Sequence, residues 1–142
     1  LRPAKALVEA VPVLARGRLG NIVSTLDKTL RLLDGEPSDI ALPLAYWKTP
    51  ARRPALGDMN PARDGCGLLW YAPLVPMKAA IARSFVTMAE SVCVKHGMEP
   101  LITLTSLSDR CFDSTVPLLF DLDDAGETAR AHACLEELLT TG

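Results

Sequence analysis

Residues 65–76 read GCGLLWYAPLVP, and this stretch begins the most regular part of the chain. An apolar run of this length, broken by Pro73 and Pro76, is typical of a buried β-strand. The chain has two tryptophans and two tyrosines, and this strand carries one of each side by side. Side chains alternate along a strand, so Trp70 and Ala72 share one face. The run is therefore either an ordinary core strand or a strand with one face lining a pocket for a flat ligand.

A regular series of elements follows. The patterns predict a strand over 67–75, a helix over 78–96, strands over 100–107 and 110–121, and a helix over 125–140. In the last helix the residues expected to face inward are Ala129, Ala133, Leu135 and Leu138. This order predicts an α+β fold of the ferredoxin-like type, with an antiparallel sheet and both helices on one face.

The first 64 residues are less regular. We predict a helix over 3–10, a strand over 19–24, and a helix over 25–33 capped by Ser24 or Thr25 and followed by Gly35. Five prolines fall in residues 34–64, which predicts a long loop with at most one short extended piece over 41–47. The predicted organisation is a helix–strand–helix segment over 1–33, a Pro-rich loop over 34–64, and an α+β core over 65–142.

Composition excludes several classes of protein. The 142 residues suit one domain with a modest core, and a net charge of −2 without a basic block argues against nucleic-acid binding. Prolines and Lys78 interrupt the apolar stretches, so no membrane span is expected. No signal peptide is visible, and we expect a soluble protein of the cytoplasm or the periplasm. Because the first residue is Leu1, we expect a piece of a longer chain.

No motif specifies a reaction by itself. The four cysteines lack CxxC spacing, so no zinc site is expected, and Cys93 and Cys134 are interpreted as buried thiols in helices. The residues DLDD at 121–124 favour a turn and a helix start over a metal site. Arg110 is either an ordinary surface residue or a ligand for an anion. The residues alone predict a soluble α+β domain with an aromatic-bearing strand.

An ordered set of short patterns carries a family resemblance. It comprises a glycine, an apolar residue, two aromatics, a small residue and a proline, then T-x-T, an arginine, and an aromatic residue before aspartate. The matching residues are Gly67, Leu69, Trp70, Tyr71, Ala72, Pro73, Thr103, Thr105, Arg110, Phe120 and Asp121. Residues 65–142 thereby resemble the cap, or C-terminal substrate domain, of FAD-linked oxidases related to vanillyl-alcohol oxidase and para-cresol methylhydroxylase. The tail ETARAHACLEELL resembles the methylhydroxylase branch.

The resemblance implies an FAD-dependent oxidoreductase that oxidises para-substituted phenols. A phenolate would give hydride from its benzylic carbon to the flavin, and water would add to the quinone methide. The residues implied to bind the substrate are Trp70, Ala72, Ser106 and Thr115. Leu68 and Arg110 are implied on the cofactor side. The alternatives are the cap of an FAD-linked hydroxy-acid oxidase or dehydrogenase, and a ferredoxin-like binding module without catalysis.

Departures from the family pattern bear on the flavin link and on activity. Leu68 and Asn60 stand where relatives attach FAD through histidine or tyrosine, so we expect no covalent bond from this segment, although spacing does not exclude Tyr46. We expect the FAD domain before Leu1, and the phenolate-binding Tyr–Arg pair and the catalytic residues outside this chain. This chain alone is not expected to be active. Its implied partners are a phenolic substrate, the FAD domain, a homodimer mate and a c-type cytochrome.

Overall fold

The computed structural model describes residues 18–55 and 57–142, and the chain divides into two compact units, 1–41 and 42–142. In the first unit, α1 spans Arg18–Leu33, and Gly35 follows it with φ +79°. The strand predicted over 19–24 is wrong because those residues lie in α1, which begins before the predicted cap at Ser24 or Thr25. The helical spacing of Ile22, Leu26 and Leu30 prevails over the local β-preference of Ile22 and Val23. The helix predicted over 3–10 lies outside the described residues.

The Pro-rich segment forms short 3₁₀ helices over Asp39–Tyr46 and Pro50–Arg52. The extended piece predicted over 41–47 is therefore wrong. Pro43 lies inside the first of these helices. Helices of the 3₁₀ type often connect other elements, and the Pro-rich segment has this position between α1 and β1.

The sheet is antiparallel, as predicted, and is built around one long strand. It contains β1 (Cys66–Tyr71), β2 (Leu74–Pro76), β3 (Thr103–Ser106) and β4 (Cys111–Asp121). Each of the first three pairs with β4. The helices α2 (Ala79–Lys95) and α3 (Ala125–Thr141) match the helices predicted over 78–96 and 125–140.

The strands β1 and β2 are two parts of one interrupted strand. Tyr71 pairs with Val116 and Leu74 with Asp113, so the register does not shift across the break. At the break, the Pro73 carbonyl accepts hydrogen bonds from Ser114 Oγ at 2.5 Å and from Ser114 N at 3.3 Å. The predicted strand over 67–75 is thus confirmed as a single line along one side of β4.

The strand β3 runs along the other side of β4. Thr103 pairs with Thr115 and Ser106 with Phe112. The outer strands are therefore parallel to each other and separated by the antiparallel β4, with α2 connecting β2 to β3. The paired part of this strand is shorter than the prediction over 100–107.

Both helices pack on the same side of the sheet. The core residues of this side are Tyr71, Val75, Phe85, Ala89, Val92, Cys93, Met98, Val116, Leu118, Phe120, Ala131, Cys134 and Leu138. In α3 the buried positions are Ala131, Cys134 and Leu138, whereas Ala129 and Ala133 are exposed. The prediction for α3 is therefore right for Leu138 and for Leu135, which packs against this core, and wrong for Ala129 and Ala133, because alanines spread around the helix do not distinguish one helix face from another.

Local signals at the helix ends are confirmed. Residues 121–124 form a turn that leads into α3, where Asp124 Oδ1 accepts a hydrogen bond from Glu127 N at 2.9 Å as the N-cap. Gly97, with φ +68°, follows the C-terminal cap of α2. Cys93 and Cys134 are buried free thiols, as expected.

Within residues 18–55 and 57–142, no helix combines the length and apolar character needed to cross a membrane. In the same part of the chain no group of three or more His, Cys, Asp or Glu residues could hold a metal ion.

Candidate functional site

Within residues 42–142, α2 and α3 both pack on one side of the sheet, and we call the other side the open face. Directly paired residues project to the same side of a sheet, and successive residues alternate. Since Tyr71, Val116 and Leu118 belong to the helix side, their neighbours point to the other side. The open face therefore carries Leu68, Trp70, Leu74, Thr103, Thr105, Asp113, Thr115, Pro117 and Leu119.

Three neighbouring cross-strand rows lie in the exposed part of this face. In the first, Trp70 pairs with Pro117; in the last, Asp113 pairs with both Leu74 and Thr105. The middle row holds small side chains: Thr103 pairs with Thr115, and the unbroken register sets Ala72 on the other side of Thr115. Trp70 is 53% exposed and Leu74 is 65% exposed. The face thus has a row of small side chains between an exposed aromatic side chain and an exposed aliphatic one.

The Pro-rich segment covers the end of the open face that contains Cys66 and Leu119. Thr49 Oγ1 lies 3.5 Å from Cys66 Sγ at the start of β1. The Trp47 indole N–H donates to Glu99 Oε2, and Lys48 Nζ lies 3.3 Å from Glu99 Oε1, just before β3. Through these contacts the segment extends from β1 towards β3, and Leu119 is buried at this end of the face.

A bidentate ion pair fixes the same segment to the end of β4. Arg52 Nη1 and Nη2 donate to the two carboxylate oxygens of Asp121 at 2.9 and 3.0 Å. Arg52 also pairs with Asp123 at 3.0 Å. The hydrogen bond to Asp121 raises the pKa of Arg52, so the guanidinium stays charged.

The interior of this cover contains a buried phenol. Tyr46 is 1% exposed and packs with Met59 and Cys66. Its Oη donates to Asp64 Oδ2 at 2.6 Å, and Arg63 Nε donates to Asp64 Oδ1 at 2.8 Å. The hydrogen bonds from Arg63 and Tyr46 lower the pKa of Asp64 to about 2. Burial, with the neighbouring carboxylate, raises the pKa of Tyr46 to about 12.

Sequence reasoning did not find this Tyr46–Asp64–Arg63 group. The three residues lie up to 18 positions apart in a Pro-rich stretch without periodicity. No pattern there indicates which side chains meet. The structure shows that the Tyr46 hydroxyl is engaged inside the protein.

The structure brings four of the six predicted site residues to the open face. Leu68, Trp70 and Thr115 lie on it by their pairing, and Ala72 by the shared register. Ser106 does not join them: it pairs with Phe112 on the helix side, and its Oγ donates to Ser108 O at 3.2 Å. Alternation along the strand puts Ser106 on the same face as Leu104, so the sequence already indicated that Ser106 lies apart from Thr103 and Thr105.

Arg110 lies apart from the rows, in the turn that joins β3 to β4. Its side chain is exposed. Its backbone N–H donates to Ser108 Oγ at 3.1 Å, and its carbonyl accepts from Met77 N at 2.8 Å. These bonds hold the backbone of the turn against the start of α2.

A concavity of about 310 Å³ lies elsewhere, between β2, the start of α2 and the C-terminal residues. Its walls include Tyr71, Val75, Ile81, Phe85 and Met88. Most of these side chains belong to or border the helix-side core. Leu74, which belongs to the open face, also lines the concavity, so the two share this residue.

Comparisons with known proteins agree with the resemblance. No protein-family model matches the chain. It is 30% identical over 137 residues to 1'-carboxy-chondrochloren decarboxylase of Chondromyces crocatus, which covers 96% of this chain and 25% of that protein. It is 30% identical over 77 residues to the 4-cresol dehydrogenase (hydroxylating) flavoprotein subunit of Pseudomonas putida, which covers 54% of this chain and 15% of that protein.

A solved structure matches as well. The crystal structure of p-cresol methylhydroxylase with substrate bound has a TM-score of 0.50 and 28% sequence identity, and the match covers 52% of this chain and 14% of that one. The chain spans a quarter or less of the length of these proteins. The predicted resemblance is confirmed: this chain is similar to the cap-like region of the FAD-linked oxidases related to p-cresol methylhydroxylase.

Proposed function

We propose that this chain is the substrate-side cap segment of an FAD-dependent oxidoreductase, and that its open face walls the cavity for a para-substituted phenol. One observation carries the proposal: Trp70 is 53% exposed on the open face, beside a row of small side chains. An exposed apolar face of this kind is typical of a surface that another domain or a ligand covers. The flavoprotein relatives support the class of cofactor.

The residues of the open face have distinct proposed roles. Trp70 supplies a flat wall that excludes water from an aromatic ring. Ala72 and Thr115 form the floor of the proposed substrate cavity, and the small side chain of Ala72 leaves room for the ligand. Ser106 has no place in this wall because it lies on the helix side. Arg110, in its exposed turn, is a candidate ligand for an anionic group of the cofactor.

The open face fits contact with a flavin ring, which would supply the hydride acceptor when bound. Leu68, 38% exposed on this face, offers an apolar contact and no atom that could form a covalent bond. Tyr71 points to the helix side, where its ring stacks on Phe85 at 6.3 Å, and the Tyr46 hydroxyl is bound to Asp64. We therefore propose that FAD is not covalently attached to this segment.

We also propose a fold description and partners for the full protein, which the strand order and the flavoprotein relative support. The two parallel outer strands around an antiparallel β4, with α2 and α3 on one side, support a ferredoxin-like description of the cap. The Pseudomonas putida relative is named as a flavoprotein subunit. That name supports a separate electron-accepting partner, such as a c-type cytochrome, for the full protein. A homodimer is a further proposal.

A second candidate is the decarboxylation of a carboxylated substrate. The decarboxylase match covers 96% of this chain, including the Pro-rich segment, whereas the 4-cresol dehydrogenase match covers 54%. The aligned range of the decarboxylase therefore includes a counterpart of the Pro-rich segment, which covers one end of the open face. The two candidates differ in the charge of the substrate and in whether CO₂ leaves.

The full-length protein decides between these functions. Its absorption spectrum should show flavin bands, and anaerobic addition of a 4-alkylphenol should bleach them. Release of CO₂ from a carboxylated para-hydroxyphenyl compound, without bleaching by the alkylphenol, would favour the second candidate. A protein that purifies without flavin and regains none with added FAD would contradict the first candidate.

A further inference from the structure

Asp113 lies on the central strand β4, in the last of the three exposed rows of the open face. It pairs directly with Leu74 on one side and Thr105 on the other, and it stands next to the Ala72–Thr115–Thr103 row. Its side chain is partly buried. Within the described residues, no hydrogen bond or ion pair engages its carboxylate.

The other partly buried carboxylates of residues 42–142 all have a cationic partner. The pairs are Asp64 with Arg63, Asp121 with Arg52, Glu127 with Arg130, and Glu137 with Lys95. Asp113 is the exception in the described part of this unit. A partly buried carboxylate without a partner is less well solvated than an exposed one, and a ligand with a hydrogen-bond donor can complete its contacts.

The surroundings of Asp113 define what such a ligand must offer. Leu74 is apolar, and Thr105 has a hydroxyl that can donate or accept a hydrogen bond. An ionised carboxylate only accepts hydrogen bonds, so it favours a hydroxyl or amino donor. It repels a second carboxylate, and the repulsion is strong when water is excluded.

We infer that Asp113 selects the substrate of this face by charge: it accepts a hydrogen bond from a hydroxyl or amino group on the substituent that reaches past Ala72, and it rejects a carboxylate there. This inference rests on the proposed function, because it assumes that the open face walls the substrate cavity. It assigns the neutral or donor-bearing phenols, rather than carboxylated ones, as the preferred class.

The test compares Asp113→Asn with Asp109→Asn in the full-length flavoprotein. Asparagine keeps the size of the side chain and removes its charge; Asp109 is exposed in the β3–β4 turn and serves as the matched control. Two probes are used, a 4-alkylphenol and the same compound ending in a carboxylate. The readouts are kcat/KM for each probe and its dissociation constant, measured by quenching of tryptophan fluorescence.

Asp113→Asn should raise both the affinity and the kcat/KM for the carboxylated probe, relative to the alkylphenol, by about tenfold or more. Asp109→Asn should leave the ratio unchanged. An unchanged ratio in Asp113→Asn, with wild-type turnover of the alkylphenol intact, overturns the role of Asp113 and leaves the proposed function standing. If the wild-type protein neither binds nor oxidises either probe, the proposed function fails and the inference fails with it. Asp113→Ser serves as the second variant should the asparagine protein not fold.

Discussion

Gly67 lies directly opposite Phe120 in the pairing of β1 with β4, and the Phe120 ring occupies the space above it. A Cβ atom at position 67 would overlap the ring carbons of Phe120. Phe120 is buried in the helix-side core, so its ring has little room to move. This cross-strand pair explains why a glycine lies three residues before the aromatic pair of the strand.

Gly67→Ala should destabilise the protein by about 1–3 kcal/mol, because the added methyl group overpacks the core. Urea unfolding followed by circular dichroism measures the change. In a Phe120→Leu background, where the ring is absent, the same substitution should cost clearly less. Equal costs in both backgrounds would show that the ring contact is not the cause.

Ser114→Ala should cost about 1 kcal/mol of unfolding free energy, since it removes a buried hydrogen bond. Ser114 is fully buried, and its hydroxyl donates to the Pro73 carbonyl at the break between β1 and β2. The matched control is Ser91→Ala, at an exposed position of α2. Ser114 would have no role in holding the break if both variants unfolded at the wild-type urea midpoint.

The Asp64 carboxylate should make stability fall in acid. Its folded pKa of about 2 lies below the ordinary value of about 3.9, so its contribution is complete above pH 4 and is lost as the pH falls towards 2. The stability difference between wild type and Asp64→Asn should therefore shrink over this window in urea unfolding. A difference that stays constant from pH 6 to pH 2 would contradict the assignment.

The buried thiols should resist alkylation in the folded protein. Burial raises the pKa of Cys134 to about 12 and also raises the pKa of Cys93, so neither forms thiolate at pH 8. Cys111 is only partly buried and should react first with iodoacetamide. Peptide mass spectrometry after timed quenching gives the order. Labelling of Cys134 as fast as Cys111 would show that α2 and α3 separate readily.

Trp70→Ala should lower kcat/KM for phenols in the full-length protein by tenfold or more while it changes the unfolding midpoint little, because the ring is half-exposed and outside the core. Trp47→Ala is the matched control, since Trp47 is 55% exposed but contacts Glu99. If Trp47→Ala lowered turnover more than Trp70→Ala does, the substrate would lie against a surface other than the open face that we propose.

Several features of the fold follow from the sequence alone because their causes are local. The helices over 78–96 and 125–140, the Asp124 cap and the stop at Gly97 depend on spacing and on single residues. Alternation along 67–75 also determined that Trp70 and Ala72 share a face and that Tyr71 points the other way.

Only the tertiary structure decided which face is covered. Alternation groups residues into two faces, but the packing of distant helices determines which group is buried. The course of the Pro-rich segment, the Tyr46–Asp64 hydrogen bond and the inward face of α3 depend on contacts between residues far apart in sequence. The pairing of Asp113 with both Leu74 and Thr105 depends on the register of three strands, and no local pattern specifies such a register.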